Sequence, residues 1–386
     1  MKIRSRTVFL LFLLITVYSS INYYIGWHLT DWLDALEVSY SPWLFWIPFG
    51  IVAFSYIAAR ISLPGMLTSV GRLLKVIGSY YIFIMEAGFL LFILSDLVEL
   101  ILYWTGVLPA NYSLYSGSAV IALLAIFTAR GSRNAWSPIV REYELDIAKT
   151  PIAGGQKEWT VAMASDIHLG NTVGRRHLAK LVSRMNAMEP DLILLPGDVI
   201  DDSIEPFLRN RMGEVLGQLK AKRGIYAVLG NHEYYGGHID QYVAEMNKIG
   251  IRVLRDETVD IGDELSIAGR KDKSAESMEP AKRQAVSELI QTLDKDKPII
   301  LMDHQPTKFA AAADAGADVM LSGHTHRGQF VPNHLFTKRL FELDWGYMRK
   351  GAMHVVVSSG FGTWGPPIRL GSRSEIIKLK IKLGKV

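Results

Sequence analysis

The chain has 386 residues, 49% of them hydrophobic, a formal net charge of +4 and no cysteine. The missing cysteines exclude disulfides, thiolate-ligated zinc and thiol nucleophiles, and so small a charge excess gives no reason to expect a nucleic-acid partner. Composition changes sharply near Arg130: residues 1–130 hold seven Lys/Arg and six Asp/Glu between long apolar stretches, and 131–386 hold the other 35 basic and 32 acidic residues.

The first half reads as a four-helix transmembrane bundle, residues 1–130. Four stretches, 7–27, 41–59, 80–105 and 113–129, approach the roughly 17–25 residues that cross a hydrocarbon core. The first follows Lys2, Arg4 and Arg6 as a signal peptide would, but it runs about 20 residues and lacks a small-x-small cleavage site, so a retained helix is expected. Arg60, Arg72 and Lys75 follow the second stretch and Arg130, Arg133 and Arg141 the fourth, whereas the other two loops are acidic (Asp31, Asp34, Glu37) or uncharged. The positive-inside rule then makes this a multi-pass cell-membrane protein with both termini and the second half in the cytoplasm.

Glu86, Asp96 and Glu99 in the third stretch admit two readings: a proton or ligand path, or side chains reaching interfacial water at a span end. No basic partner is visible in the other spans. Residues 61–78 have near-helical apolar spacing with Arg72 and Lys75, as an interfacial helix or a loop helix would.

The second half, residues 131–386, alternates short apolar strands with amphipathic helical stretches. Strands are expected at 143–147, 159–164, 192–195, 225–229, 251–254, 265–268, 299–302, 319–321, 354–357 and 376–383, and helices at 177–188, 239–249 and 280–293. That alternation predicts an α/β two-sheet sandwich. In the last strand Ile377, Leu379, Ile381 and Leu383 alternate with Lys378, Lys380 and Lys382, giving one buried face and one charged face. The lysine row either discourages edge pairing or binds anionic lipid.

Five polar clusters follow apolar runs: Asp166-Ile167-His168, Gly197-Asp198, Gly230-Asn231-His232-Glu233, His304 and Gly323-His324-Thr325-His326. Carboxylates, imidazoles and one amide carbonyl suit borderline divalent metals, and strand ends are where α/β proteins assemble sites. Glycines before ligands fit sharp turns at a crowded centre. His28, His177, His238, His334 and His354 lack such a context. Arg175, Arg176, Arg327, Arg369 and Arg373 are candidates for gripping phosphate or, alternatively, ordinary surface residues.

The order Asp-x-His, Gly-Asp, Gly-Asn-His-Glu, His, Gly-His-x-His, complete from Asp166 to His326, resembles the calcineurin-like metallophosphoesterase superfamily, including small bacterial membrane-anchored members. The resemblance implies a first metal held by Asp166, His168, Asp198 and His326, and a second held by Asp198, Asn231, His304 and His324, with Asp198 bridging. It further implies attack on phosphorus by a metal-bridging hydroxide. His232 would protonate the leaving oxygen, and Asp201 would orient His232. Mn, Fe and Zn all suit these ligands. Asp201 stands where purple acid phosphatases carry an iron-binding tyrosine, and the Asp-Arg-Gly of protein serine/threonine phosphatases is absent after Asp198, so neither branch fits. Arg327 stands where many relatives show glycine.

The expected function is an integral-membrane phosphoesterase acting on a phosphodiester, pyrophosphate or monoester of a small molecule or a lipid-linked substrate, with membrane lipids as neighbours. The competing class is a membrane sensor or scaffold whose metal domain binds a phosphorylated ligand. The aromatic stretch 330–347, with Phe336, Phe341 and Trp345, is either an apolar lip for a lipid tail or a packed subdomain.

Overall fold

The structure is a computed structural model that describes residues 5–59, 68–151 and 155–384. Lys2, Arg4, Arg60 and residues 61–67 of the expected 61–78 helix lie outside the described residues. The chain divides into two compact units, Met1–Arg130 and Gly131–Val386.

Among the described residues, three helices that begin in the first unit are long and apolar enough to cross a membrane: α1 (Ser5–Ala35), α3 (Thr68–Trp104) and α4 (Tyr112–Trp136). The stretch expected to span at 41–59 forms α2 (Pro42–Ala58), whose 17 residues reach only about 26 Å at 1.5 Å per residue. That is slightly less than a hydrocarbon core of about 30 Å. The described part of 61–78 is not a separate helix; from Thr68 it continues into the third span. The bundle also supplies the partner that the sequence hid. His28 on α1 places Nε2 3.3 Å from Asp96 Oδ1, the Tyr24 hydroxyl donates to the same carboxylate, and His28 stacks on Phe92 at 4.6 Å. Asp96 and Glu99 line one polar cleft with Asp31, Ser95 and Tyr112.

The described residues of the second unit form twelve strands in chain order: β1 (Ile139–Ile147), β2 (Glu158–Met163), β3 (Leu192–Pro196), β4 (Ile225–Val228), β5 (Ile251–Leu254), β6 (Glu257–Ile261), β7 (Leu265–Gly269), β8 (Ile299–Met302), β9 (Val319–Ser322), β10 (Gly346–Lys350), β11 (Met353–Val357) and β12 (Glu375–Leu383). They form two six-stranded mixed sheets, in the orders β1-β12-β2-β3-β4-β5 and β10-β11-β9-β8-β7-β6. Strand alternation sends Leu192 and Leu194 of β3 into the core between the sheets and Ile193 and Leu195 into the outer layer. There they meet Leu178, Leu181, Val182 and Met185 of α5 (Arg175–Asn186), whose spacing makes one apolar helix face. In the other sheet, Ile300 and Met302 of β8 face the inter-sheet core and Ile299 and Leu301 the opposite layer. Strands covered on both faces read as unbroken apolar runs, which is why Leu-Ile-Leu-Leu marks β3 so plainly.

The lysine row of β12 is not at an edge. β1 pairs in parallel outside it, and Lys378, Lys380 and Lys382 lie 2.8–3.8 Å from Glu142 and Glu144. The central strands β2–β4 run parallel, as do β8 and β9, so the loops after them open at the carboxyl ends of the two sheets.

Candidate metal centre

Each ligand-type residue expected from the sequence sits just past a strand. Asp166 and His168 follow β2, Asp198 follows β3, Asn231 and His232 open the helix Asn231–Gly236 after β4, His304 follows β8, and His324 and His326 follow β9. Backbone bonds tie these loops together: Asp166 N–H donates to Gly197 O (3.1 Å), His168 N–H to Asp198 O (3.0 Å) and Gly323 N–H to His304 O (2.9 Å). Asp166 Oδ1 accepts from His324 N–H (2.8 Å), and Asp198 Oδ1 from His232 N–H (2.9 Å). The backbone is forced to aim these groups. Asp166, His168, Asp198, His324 and His326 all hold positive φ, between 48° and 72°. Non-glycine residues in that region cost about 1–3 kcal/mol each and persist where the surroundings over-determine them. Gly197 turns at φ +87°, and a Cβ there would come within 2.5 Å of the His304 ring. At Gly323 the demand is space: a Cβ would lie 2.1 Å from Asp166 Oδ2.

The donors fall into two groups. In one, His168 Nε2 and His326 Nε2 are 3.0 Å apart, with Asp166 Oδ1 3.5 Å from His326 and Asp198 Oδ2 3.8 Å from His168. In the other, His304 Nε2 lies 3.1 Å from both Asn231 Oδ1 and Asp198 Oδ2, and His324 Nδ1 is 2.8 Å from Asn231 Oδ1. Ligands about 2.1 Å from a common ion are separated by such spacings. Asp198 stands between them, grouped with His168 and His232 on one side and with His304 and His324 on the other.

Burial pushes His168 and His324 down to about 4 and His326 well below its usual value, so three of the four imidazoles are neutral, the form that binds metal. Burial opposes charge on His304 too, but Asp198 and Asp166 outweigh it and raise its pKa. The cluster thus attracts positive charge, as a cation site must. His304 Nδ1 lies 2.9 Å from Pro196 O, which accepts its proton and frees Nε2 for a ligand role. Buried His168 Nδ1 has no hydrogen-bond partner. The donor set therefore fits divalent metal at two adjoining positions.

His232 stands beside both groups, its ring 4.6 Å from that of His168. Its orienting hydrogen bond differs from the expected one. Asp202 Oδ1 is 2.7 Å from His232 Nδ1, whereas Asp201 Oδ1 is 3.8 Å away and 4.0 Å from His168 Nδ1. Asp201 is held by its N–H to Leu169 O, and the chain then turns at Asp202 with φ +40°, which brings the second carboxylate under the imidazole. Burial disfavours the charged His232, but the bond to Asp202 and the charges of Asp198 and Asp201 raise its pKa to about 9.

Sequence reasoning assigned no role to Glu233 or to Arg369 as a buried brace. Glu233 accepts from the backbone N–H groups of Asp198 (3.0 Å), Ile200 (3.0 Å) and Gly230 (2.8 Å), joining two ligand loops. Its place three residues after Gly230 was the available signal. Arg369 is fully buried; it donates to Gly360 O (3.1 Å) and Gly362 O (2.6 Å) and approaches His326 Nδ1 at 3.5 Å. Arg175, Arg327 and Arg373 likewise donate to backbone carbonyls, and Arg176 is exposed on α5.

The family model for calcineurin-like phosphoesterase matches residues 160–328, which include all five clusters. An uncharacterized metallophosphoesterase of Aquifex aeolicus is 34% identical over 246 residues, covering 63% of this chain and 91% of that protein. A zebrafish transmembrane protein with metallophosphoesterase domain is 32% identical over 290 residues, covering 71% of this chain and 65% of that protein; its bovine namesake is 33% identical over 273 residues, covering 67% and 61%. The chain spans less than two thirds of the length of these two vertebrate relatives. With candidate metal-binding groups built from the same five clusters, the chain belongs to the calcineurin-like metallophosphoesterases.

Proposed function

We propose that this chain is an integral-membrane phosphoesterase with its catalytic unit in the cytoplasm, cleaving phosphodiester, pyrophosphate or monoester bonds at a centre formed by Asp166, His168, Asp198, Asn231, His304, His324 and His326. The observation that carries the reading is the meeting of the metal-type donors at Asp198 beside His232, whose Nδ1 lies 2.7 Å from Asp202 Oδ1. The chemistry that two divalent ions would supply there is a lowered pKa for bound water and neutralisation of charge on the phosphoryl oxygens.

The chain's own residues do the rest. Asp198 holds the two positions together, and the left-handed loops keep the donors converged without rearrangement. His232, whose charged form the hydrogen bond to Asp202 favours, donates a proton to the leaving oxygen. Asp202 holds the imidazole with Nε2 free for that transfer, and Asp201 adds negative charge nearby. The cytoplasmic assignment rests on the alternation of basic with acidic or neutral loops and counts α2, about 26 Å long, as a fourth crossing.

Purified full-length protein in detergent, loaded separately with Mn, Fe or Zn, should release p-nitrophenol from bis(p-nitrophenyl) phosphate and stop after chelation. No release with any metal, alongside retained binding of inorganic phosphate, would favour the scaffold reading.

A further inference from the structure

Within the described part of Gly131–Val386, exposed large apolar side chains are concentrated. Val331, Leu335, Phe336 and Leu340 fall within ten residues and are 48%, 59%, 66% and 77% exposed. The last three ride on the helix His334–Leu340, which buries none of its residues. A further large ring, Trp364, is 56% exposed.

This surface adjoins the metal centre. Phe341, one residue past the helix, has its ring 6.0 Å from His324, and Trp364 lies 6.4 Å from His232. Nor is the surface a loose flap. Asp344 accepts from Thr325 Oγ1 between the last two ligands (2.5 Å) and from Thr337 Oγ1 on the helix (2.7 Å). Gln329 donates to Trp364 O (3.0 Å) and Pro366 O (2.7 Å), and its Oε1 accepts from Trp364 N–H (2.9 Å).

The charge on this helix is also unspent. Lys338 and Arg339 are exposed and have no ion-pair partner among the described residues, unlike the lysines of β12. Exposed leucine and phenylalanine interleaved with unpaired cations match an anionic bilayer surface, where apolar groups enter the acyl boundary and cations meet headgroup phosphates. An isolated soluble unit has no use for such a patch.

We propose that Leu335, Phe336 and Leu340, flanked by Lys338 and Arg339, form a rim that enters an anionic lipid surface and admits the phosphoester of a membrane-embedded lipid to the metal centre. The proposal rests on the phosphoesterase reading above and names the substrate class for that site.

The test uses the full chain in vesicles of phosphatidylcholine and phosphatidylglycerol, with two substrates. One is aqueous bis(p-nitrophenyl) phosphate; the other is a dialkylglycerol p-nitrophenyl phosphodiester placed in the same bilayer. In the triple variant Leu335→Ser/Phe336→Ser/Leu340→Ser, lipid-ester turnover should fall at least ~10-fold while aqueous turnover stays within about twofold, consistent with loss of interfacial apolar contact. Lys338→Gln/Arg339→Gln should reproduce the selective loss more weakly. Leu340→Cys, labelled with an environment-sensitive fluorophore in this cysteine-free chain, should be quenched by brominated lipid. Equal loss on both substrates would show a packing surface and overturn the proposal. So would an unquenched label, or a wild type that cleaves only the aqueous ester. A wild type that cleaves neither ester would instead refute the phosphoesterase reading beneath it.

Discussion

At the scale of single residues, the account turns on Asp198 and His232. Asp198 Oδ2 lies 3.8 Å from His168 on one side and 3.1 Å from His304 on the other, so Asp198→Asn removes negative charge between the two positions at once. Turnover should fall by ~100-fold or more, with metal content falling in parallel and further than for any single terminal-ligand variant. Elemental analysis beside the hydrolysis assay checks this. His232 is assigned to proton transfer, so His232→Ala should lower turnover by about 10²–10⁴ while metal occupancy holds. Alkyl phosphodiesters should suffer more than aryl ones, whose leaving groups need less protonation. Loss of metal, or equal loss on both esters, would return His232 to coordination.

The carboxylate under His232 makes a second residue-scale claim. Asp202 raises the pKa of His232, and His232 can donate only while it keeps its proton, so turnover should decline on the alkaline side of its titration. Asp202→Asn removes the main hydrogen-bonded contribution that raises this pKa, and the alkaline limb should move to lower pH. Asp201→Asn, with its carboxylate 3.8 Å away, should move it less. Comparing pH–rate profiles of the two variants decides between the adjacent aspartates.

At the scale of elements, Arg369 braces the loop after β11 against the loop after β9. Burial lowers its pKa to about 10, leaving it charged at neutral pH while its donors serve Gly360 O, Gly362 O and Ser372 Oγ. Arg369→Met strands two carbonyls, and losing charge-assisted bonds of roughly 1.5–3 kcal/mol each should lower the Tm by several degrees. Thermal unfolding of variant and parent tests this.

The same scale shows what the sequence made legible. β3 and β8 were plain because both faces are covered and every position is apolar. β6 and β10 were missed, since these outer strands are largely exposed and polar and lack an apolar run. The helix expected at 280–293 shrinks to Val286–Ile290 because preceding groups are used elsewhere: Arg283 pairs with buried Asp303, Gln284 O accepts from Arg270, and Gln284 N–H donates to Asp256. The ligand-type residues were legible because each follows a strand with its glycine or histidine signature. The choice of Asp202 over Asp201 was not, because it depends on one left-handed turn. Nor was the pairing of His28 with Asp96, whose positions are 68 residues apart and meet only when α1 and α3 align.

At the scale of the whole molecule, apolar helices precede a metallophosphoesterase fold, and loop charge predicts which side that fold occupies. The absence of cysteine allows a direct check. Lys273→Cys, exposed in the catalytic unit, should react with an impermeant maleimide only after permeabilisation, whereas Val107→Cys, exposed between α3 and α4, should react in intact cells. The reverse pattern would invert the topology. The central claim, a two-metal hydrolytic centre, is tested most directly by measuring bound metal per chain in purified protein while following phosphodiester hydrolysis through chelation and reloading. The account predicts about two ions per chain at full activity, with turnover lost and regained together with them; undiminished hydrolysis after both ions are stripped, or full activity with a single ion, would contradict it.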